Sequence, residues 1–438
     1  MKHSTSLFSA CAGMIDLVYN SFRKRVQPPA ERWFRRGFGD LPRYFSACDE
    51  ALDAWEADGL KDYLQVPVSI RWREWPADAQ APPDVLLDEG SFESPLATFL
   101  PPESRMVRFL FVRAVPGGKH MRTRGIYVHT AATGTCTYTE RERGLAYPLL
   151  EHGIASILLI PPYNGKRSPT GQEKHYIDNV ADYMLQSLAI VLEATALLRT
   201  LACSSVRVRP SELYEAGMLP LGVTGLSWGG AMAACAALIS RLPVACMVGL
   251  GSDSPRVMAT GAIRWQLDFN ALMKGSTHSR AEAEQAIIAV FTRITFAKLL
   301  ARGHGATLGS CVQVAAADDH YVSPQECQQL HASLAKATPP GRMCELRWVD
   351  GGHALTFIRL TATFLEPCIV AMDWATPLWT EHFGSRHGEV PRPSRSAQPT
   401  TSRARLPNGT MFAMIALAAL GVRLALWRQD SSRDLKMQ

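Results

Sequence analysis

The stretch "GVTGLSWGGAMAA", residues 222–234, sets one serine in a run of small and apolar residues. The segment leading into it, "PLGVTG" (220–225), reads as a strand, and a small-residue helix opens from residue 228. Ser227 therefore falls at a strand-to-helix junction, with Gly225 and Gly229 two positions to either side. That spacing is the G-x-S-x-G nucleophile elbow. The turn is so sharp that side chains two residues away on either side would collide, hence the glycines. The strained backbone exposes the serine Oγ at the carboxyl edge of a sheet, where the next helix aims its N-terminal N–H groups.

A serine hydroxyl needs a base to take its proton, and the base needs a carboxylate to orient it. Around this elbow the chain order is Ser, then acid, then His. "AAADDHYVSP" sets Asp318 and Asp319 just past an expected strand at 311–317, and "VDGGHAL" sets His353 past another at 343–349. A Gly-Gly turn before His353 lets its imidazole fold back over the sheet edge. Among twelve histidines only His353 has this placement; His304 and His320 precede or coincide with the acid. Asp319, deeper in its loop, is the expected acid. Asp318 and Asp253, the latter past an expected strand at 244–250, are the alternatives. The oxyanion donors expected are the N–H of Trp228 and one from the loop in "VHTAATGT" (128–135), Ala132 or Thr133. His129 in that stretch is expected to brace the loop. There is no P-loop, GxGxxG, HExxH or zinc spacing, and neighbours in the "DDH" at 318–320 point to opposite sides. Neither a metal nor a cofactor is expected.

Outward from the elbow, strands alternate with helices. "MVRFLFV" (106–112), "RGIYVHT" (124–130) and "GIASILLI" (153–160) are β-branched and aromatic runs, followed by a long apolar helix over 176–202. After the elbow come strands at 244–250, 311–317 and 343–349, with helices near 324–336 and 355–374. The pattern predicts an α/β fold: a mostly parallel central sheet with helices on both faces. An insert at 256–305 interrupts it. Ser279 and Glu282 have capping-box spacing, and Ile287, Val290, Phe291 and Ile294 recur at helical spacing. The insert reads equally as a small helical lid or as a core helix of a long crossover.

The net charge of +6 is concentrated at the ends. Residues 1–36 carry +5 and 386–438 carry +6, leaving 37–385 at −5. An acidic body argues against nucleic acid, whereas basic ends suit a membrane surface or targeting machinery. The domain limits expected are a basic N-terminal segment (1–45), a catalytic domain (46–384), a Pro/Ser/Arg linker (385–409), a hydrophobic helix (410–428) and a polar tail (429–438). Asp16 and Glu31 weaken a mitochondrial presequence and favour an amphipathic helix at the start. "MFAMIALAALGVRLALW" (411–427) would span about 25 Å as a helix, against a hydrocarbon core of about 30 Å. Arg423 lies where it can snorkel, and Trp427, Arg428, Arg403 and Arg405 look like interfacial anchors. A membrane anchor, an in-plane helix and a docked soluble helix all remain open. Ten cysteines without a CxxC pair, several in apolar runs, point to a reducing, intracellular compartment. Oligomeric state is not legible.

The segments "IYVHTAATGT", "ASILLIPPYNGKRSP", "NVADYMLQSLAIVLEATALL", "LGVTGLSWGGAMA" and "VDGGH" resemble the α/β hydrolase domain-containing protein 18 family, over roughly half of the chain. "IPPYNGKRSP" is the most specific of them. The resemblance implies the α/β hydrolase fold and Ser227, Asp319 and His353 as a triad acting on an ester. It also marks Pro162, Tyr163, Gly165 and Arg167 as a loop near the sheet edge, with Arg167 a surface arginine or a contact for an acidic headgroup. The chain departs from the family at Ala132, where the family has glycine, and in "TCTYTERER". The expected activity is hydrolysis of a small-molecule or lipid ester, with association to a membrane. A catalytically silent binding or scaffold protein and an acyltransferase using the same triad are the alternatives.

Overall fold

The computed structural model describes residues 7–26, 31–75, 81–172, 174–203, 219–274, 279–303 and 307–383. Among these residues nine strands form one sheet: β1 (Arg71–Glu74), β2 (Val85–Glu93), β3 (Met106–Ala114), β4 (Gly125–Thr130), β5 (Ile154–Ile160), β6 (Leu221–Leu226), β7 (Ala245–Gly249), β8 (Ser310–Ala316) and β9 (Cys344–Val349). Their order is β1-β2-β3-β5-β4-β6-β7-β8-β9. The β1–β2, β2–β3 and β3–β5 pairs are antiparallel. Every pair from β5–β4 to β8–β9 is parallel.

The parallel strands have short apolar sequences because both of their faces are covered. Every residue of β4, β5, β6, β7 and β8 is buried. The principal helices are α1 (Leu7–Val26), α2 (Leu41–Glu56), α3 (Val180–Ala202), α4 (Trp228–Ser240), α5 (Arg280–Phe291), α6 (Phe296–Ala301), α7 (Pro324–Ala337), α8 (His353–Ile358) and α9 (Leu360–Phe383). Helix α3 starts at Val180 rather than at 176, because the Asn179 side chain accepts the Asp182 N–H and caps it there. The helix is long and apolar enough to cross a membrane, but it lies buried in the domain core.

Two elements differ from expectation. The edge strands β1 and β2 have no counterpart in the sequence-based pattern. Polar Asp88, Glu89, Gly90 and Ser91 mask β2, although Arg113 on β3 pairs with Asp88 at 2.9 Å and holds the register. The N-terminal segment is also more than a basic appendage. Trp33 and Phe34 are buried, the Trp33 N–H donates to the Gln266 carbonyl at 2.8 Å, and α2 packs on α3. The insert carries the expected capping box at Ser279 and Glu282. Its Ile287, Val290, Phe291 and Ile294 join the main core cluster. The linker, hydrophobic segment and tail expected over 385–438 lie outside the described residues.

Candidate active site

The elbow has the strain its glycines imply. Ser227, between β6 and α4, has φ 55° and ψ −125°. Its N–H donates to the Gly249 carbonyl of β7 at 2.7 Å. A Cβ on Gly225 would overlap Thr130 Oγ1 and the Gly229 carbonyl, and one on Gly229 would lie 2.6 Å from the Ala131 carbonyl. Both glycines are thus fixed by close backbone approach. The Thr130 hydroxyl donates to the Gly229 carbonyl at 2.7 Å and ties the end of β4 to the first turn of α4. Nothing in the local sequence marks this contact.

His353 reaches the elbow from the first position of α8, just past the loop that follows β9. Its Nε2 lies 3.1 Å from Ser227 Oγ, and its Nδ1 lies 2.7 Å from Asp319 Oδ2. Asp319 follows β8 and is only 7% exposed. Its Oδ1 accepts the N–H groups of Tyr321 at 2.7 Å and Val322 at 2.9 Å, which aims Oδ2 at the imidazole. The Tyr321 ring packs against the His353 ring, centroids 5.0 Å apart. Burial is the largest influence on His353 and disfavours its charged form. The carboxylates of Asp319 and Asp16 outweigh it and hold the imidazole above its ordinary value.

The alternative acids sit elsewhere. The carboxylate at His353 Nδ1 is that of Asp319, while the half-buried Asp318 donates its N–H to the Gly351 carbonyl at 3.1 Å. Asp253 accepts the N–H groups of Phe296 and Ala297 at the start of α6, and burial pushes its carboxyl up to about 6. It is a helix cap.

Trp228 is the first residue of α4, so its N–H has no partner within the helix. Ala132 and Thr133 line the same small recess as Trp228, together with Trp33, Tyr183 and Gln186. The Trp228 indole packs against both Tyr183 and Phe291, with centroids at 5.7 and 6.2 Å, and those two rings stack on each other at 5.5 Å. Its buried Nε1 has no hydrogen-bond partner among the described residues. Phe291 belongs to the insert and lines a second small recess that shares Trp228, together with Asp253 and Ile294. His129 is a brace: its Nε2 meets Ser156 Oγ at 3.0 Å, and burial pushes its imidazole down to about 3.

Arg167 is neither at the surface nor open to a headgroup. It is fully buried and forms a two-pronged pair with Glu193 of α3, at 2.7 and 2.8 Å. It also donates to the carbonyls of Ile160 and Ser104. Tyr163, with φ 61°, donates its hydroxyl to Asp182, and Gln186 holds the Pro162 carbonyl at 2.7 Å. A Cβ on Gly165 would overlap the Cys136 carbonyl. The loop therefore locks the end of β5 to α3. Among the described residues no group of three or more His, Cys, Asp or Glu is arranged to hold a metal ion.

A serine on a strained turn after β6, with an acid and a histidine following in that order on a mostly parallel sheet, defines an α/β hydrolase. The chain belongs to the family described as alpha/beta hydrolase domain containing 18, whose model matches residues 31–303. That match includes Ser227 and ends before Asp319 and His353. The chain is also similar to several solved esterases. Acetyl xylan esterase 1 from Thermoanaerobacterium sp. is 14% identical with a TM-score of 0.43, covering 77% of this chain and 98% of its own. An acetyl xylan esterase from Paenibacillus sp. is 14% identical with a TM-score of 0.44, covering 76% and 98%. A thermostable esterase from Pseudomonas putida is 13% identical with a TM-score of 0.40, covering 85% and 97%.

Proposed function

We propose that this hydrolase cleaves carboxylic esters through a triad of Ser227, His353 and Asp319. The observation that carries the proposal is the hydrogen-bond chain from Asp319 Oδ2 through His353 to Ser227 Oγ, at 2.7 and 3.1 Å. Ser227 Oγ attacks the acyl carbon while His353 Nε2 takes the hydroxyl proton. The tetrahedral intermediate collapses, and the leaving alcohol departs with that proton. Water then attacks the acyl-serine, gives a proton to Nε2, and the proton returns to Ser227 as the acid leaves. Asp319 stays ionised and keeps Nδ1–H directed toward itself. The Trp228 N–H and one from Ala132 or Thr133 bind the oxyanion, a contribution of about 3 kcal/mol per donor.

The substrate class proposed is a lipid ester. Supporting it are the basic ends of the chain and the apolar run at 411–427, which suit a membrane surface. The decisive experiment is labelling with a fluorophosphonate. Wild-type protein is expected to label and Ser227→Ala to lose the label. A folded wild type that does not label would instead favour a binding or scaffold role. Lipid profiles of cells carrying wild type or Ser227→Ala then test the substrate class: no ester lipid rising in the variant overturns it.

A further inference from the structure

His353 stands behind two glycines, and Gly351 has φ 116°. Such a turn does not by itself fix where the imidazole points. The constraint comes from α1, more than 300 positions away in the chain. Asp16 Oδ2 accepts the His353 N–H at 2.7 Å, and its Oδ1 accepts the Ala354 N–H at 2.8 Å. Oδ2 also accepts the N–H of His320, the neighbour of Asp319, at 3.2 Å. One carboxylate thus joins the loop that carries the base to the loop that carries the acid.

Two further observations fit. A Cβ on Gly352 would lie 2.5 Å from Asp16 Oδ2, so the second glycine of the turn is the space into which this carboxylate fits. One helical turn along the same face of α1, Asn20 Oδ1 accepts the Tyr321 hydroxyl at 2.8 Å. Tyr321 is the ring packed on His353. Asp16 is fully buried, an unfavourable place for a carboxylate unless its oxygens are satisfied, and here three N–H groups satisfy them.

We infer that Asp16 is a positioning residue for His353, and that α1 is therefore a working part of the active site. The inference rests on the triad reading above. Asp16 fixes the backbone from which the imidazole projects and adds negative charge beside it. The titratable residues that meet Asp16 are Asp319 and His320 on the acid loop and His353 itself, while Tyr19 and Arg23 on α1 act on the neighbouring Tyr321. Asp319 and Asp16 both favour the imidazolium that forms as Ser227 attacks.

The test compares full-length wild type, Asp16→Asn, Asp16→Ala, Gly352→Ala and the Asp16→Ala/Gly352→Ala double variant. Turnover of p-nitrophenyl acetate is measured across pH, and active sites are counted with a fluorophosphonate. Asp16→Asn is expected to lower kcat by roughly 100-fold, the scale of an ångström's misplacement, with KM nearly unchanged. The acid limb of its kcat/KM profile moves to lower pH, because a negative charge near the imidazole is gone. Gly352→Ala, which displaces the carboxylate, lowers kcat in the same direction. In the double variant the added methyl fills vacated space and costs nothing beyond Asp16→Ala, so the two changes are not additive. A folded Asp16→Asn with wild-type kcat and an unmoved acid limb overturns the inference. So does a loss explained entirely by fewer active sites with the limb unmoved, which marks a merely structural role. If the Asp16 variants do not fold, Gly352→Ala decides, and wild-type turnover there is equally fatal. Wild-type turnover by Ser227→Ala removes the triad itself, a failure distinct from that of Asp16.

Discussion

Asp319→Asn probes the candidate triad without disturbing its frame. The carboxylate has two separate duties. Oδ1 accepts the Tyr321 and Val322 N–H groups at 2.7 and 2.9 Å, and Oδ2 faces His353 Nδ1 at 2.7 Å. An asparagine can keep its carbonyl on the two N–H groups, so the loop after β8 should hold its shape. Its NH2 then faces Nδ1 and forces that nitrogen to accept. The proton moves to Nε2, 3.1 Å from Ser227 Oγ, where a lone pair is required. The imidazole becomes the wrong tautomer, a change worth about 10⁴ in kcat. At ~1.36 kcal/mol per factor of ten, that is about 5.4 kcal/mol of barrier. The assay is steady-state hydrolysis of a p-nitrophenyl ester, with thermal melting as a check on folding. Expected are a melting temperature near wild type, a KM within a small factor of it and a loss of about four decades in kcat. A well-folded Asp319→Asn within tenfold of wild type would refute the assignment of Asp319 as the carboxylate behind the base.

Two other outcomes follow from the charged groups. His353 works as a base only when neutral, and its value is held above the ordinary imidazole value of about 6.5. Activity should therefore rise with pH along an acid limb centred above that value; a limb at or below it contradicts the charge environment described here. Arg167 and Glu193 are both buried, so Arg167→Met leaves a carboxylate with the Ser94 hydroxyl as its remaining donor, and two carbonyls lose theirs. Urea unfolding should show a cost of about 3–5 kcal/mol, most of it recovered when Glu193→Leu is added. Additive losses in the double variant would mean that the pair is not coupled.

The elbow, the parallel strands and the order of acid and base were legible because each is written in neighbouring residues. Gly225 and Gly229 report a close approach that a two-residue spacing encodes, and buried parallel strands announce themselves as apolar runs. The edge strands escaped because their signal lies across the ladder: Asp88 suits β2 only once Arg113, diagonally across on β3, pairs with it. Arg167 was misplaced for the same reason. Sequence alone prices an arginine as a surface charge, and only α3 supplies the Glu193 that makes its burial tolerable. The choice between Asp319 and Asp253 was likewise a matter of direction, set by which backbone N–H groups each carboxylate meets.

Asp16 extends this logic to function. Within its own helix it looks like a flaw, an acidic residue in an otherwise basic and apolar segment. In the fold it lies 0% exposed against the His353 and Ala354 N–H groups. A charge that weakens one interpretation of a segment is thus evidence for another, provided that a partner is sought beyond the segment. Gly352 held that clue: a glycine next to a candidate base, in a turn already supplied with Gly351, asks which atom occupies the missing Cβ's place. The answer ties α1 to the backbone that carries the base. Any perturbation of α1, even far from the ester, should therefore be read in the turnover of Ser227 as well as in stability.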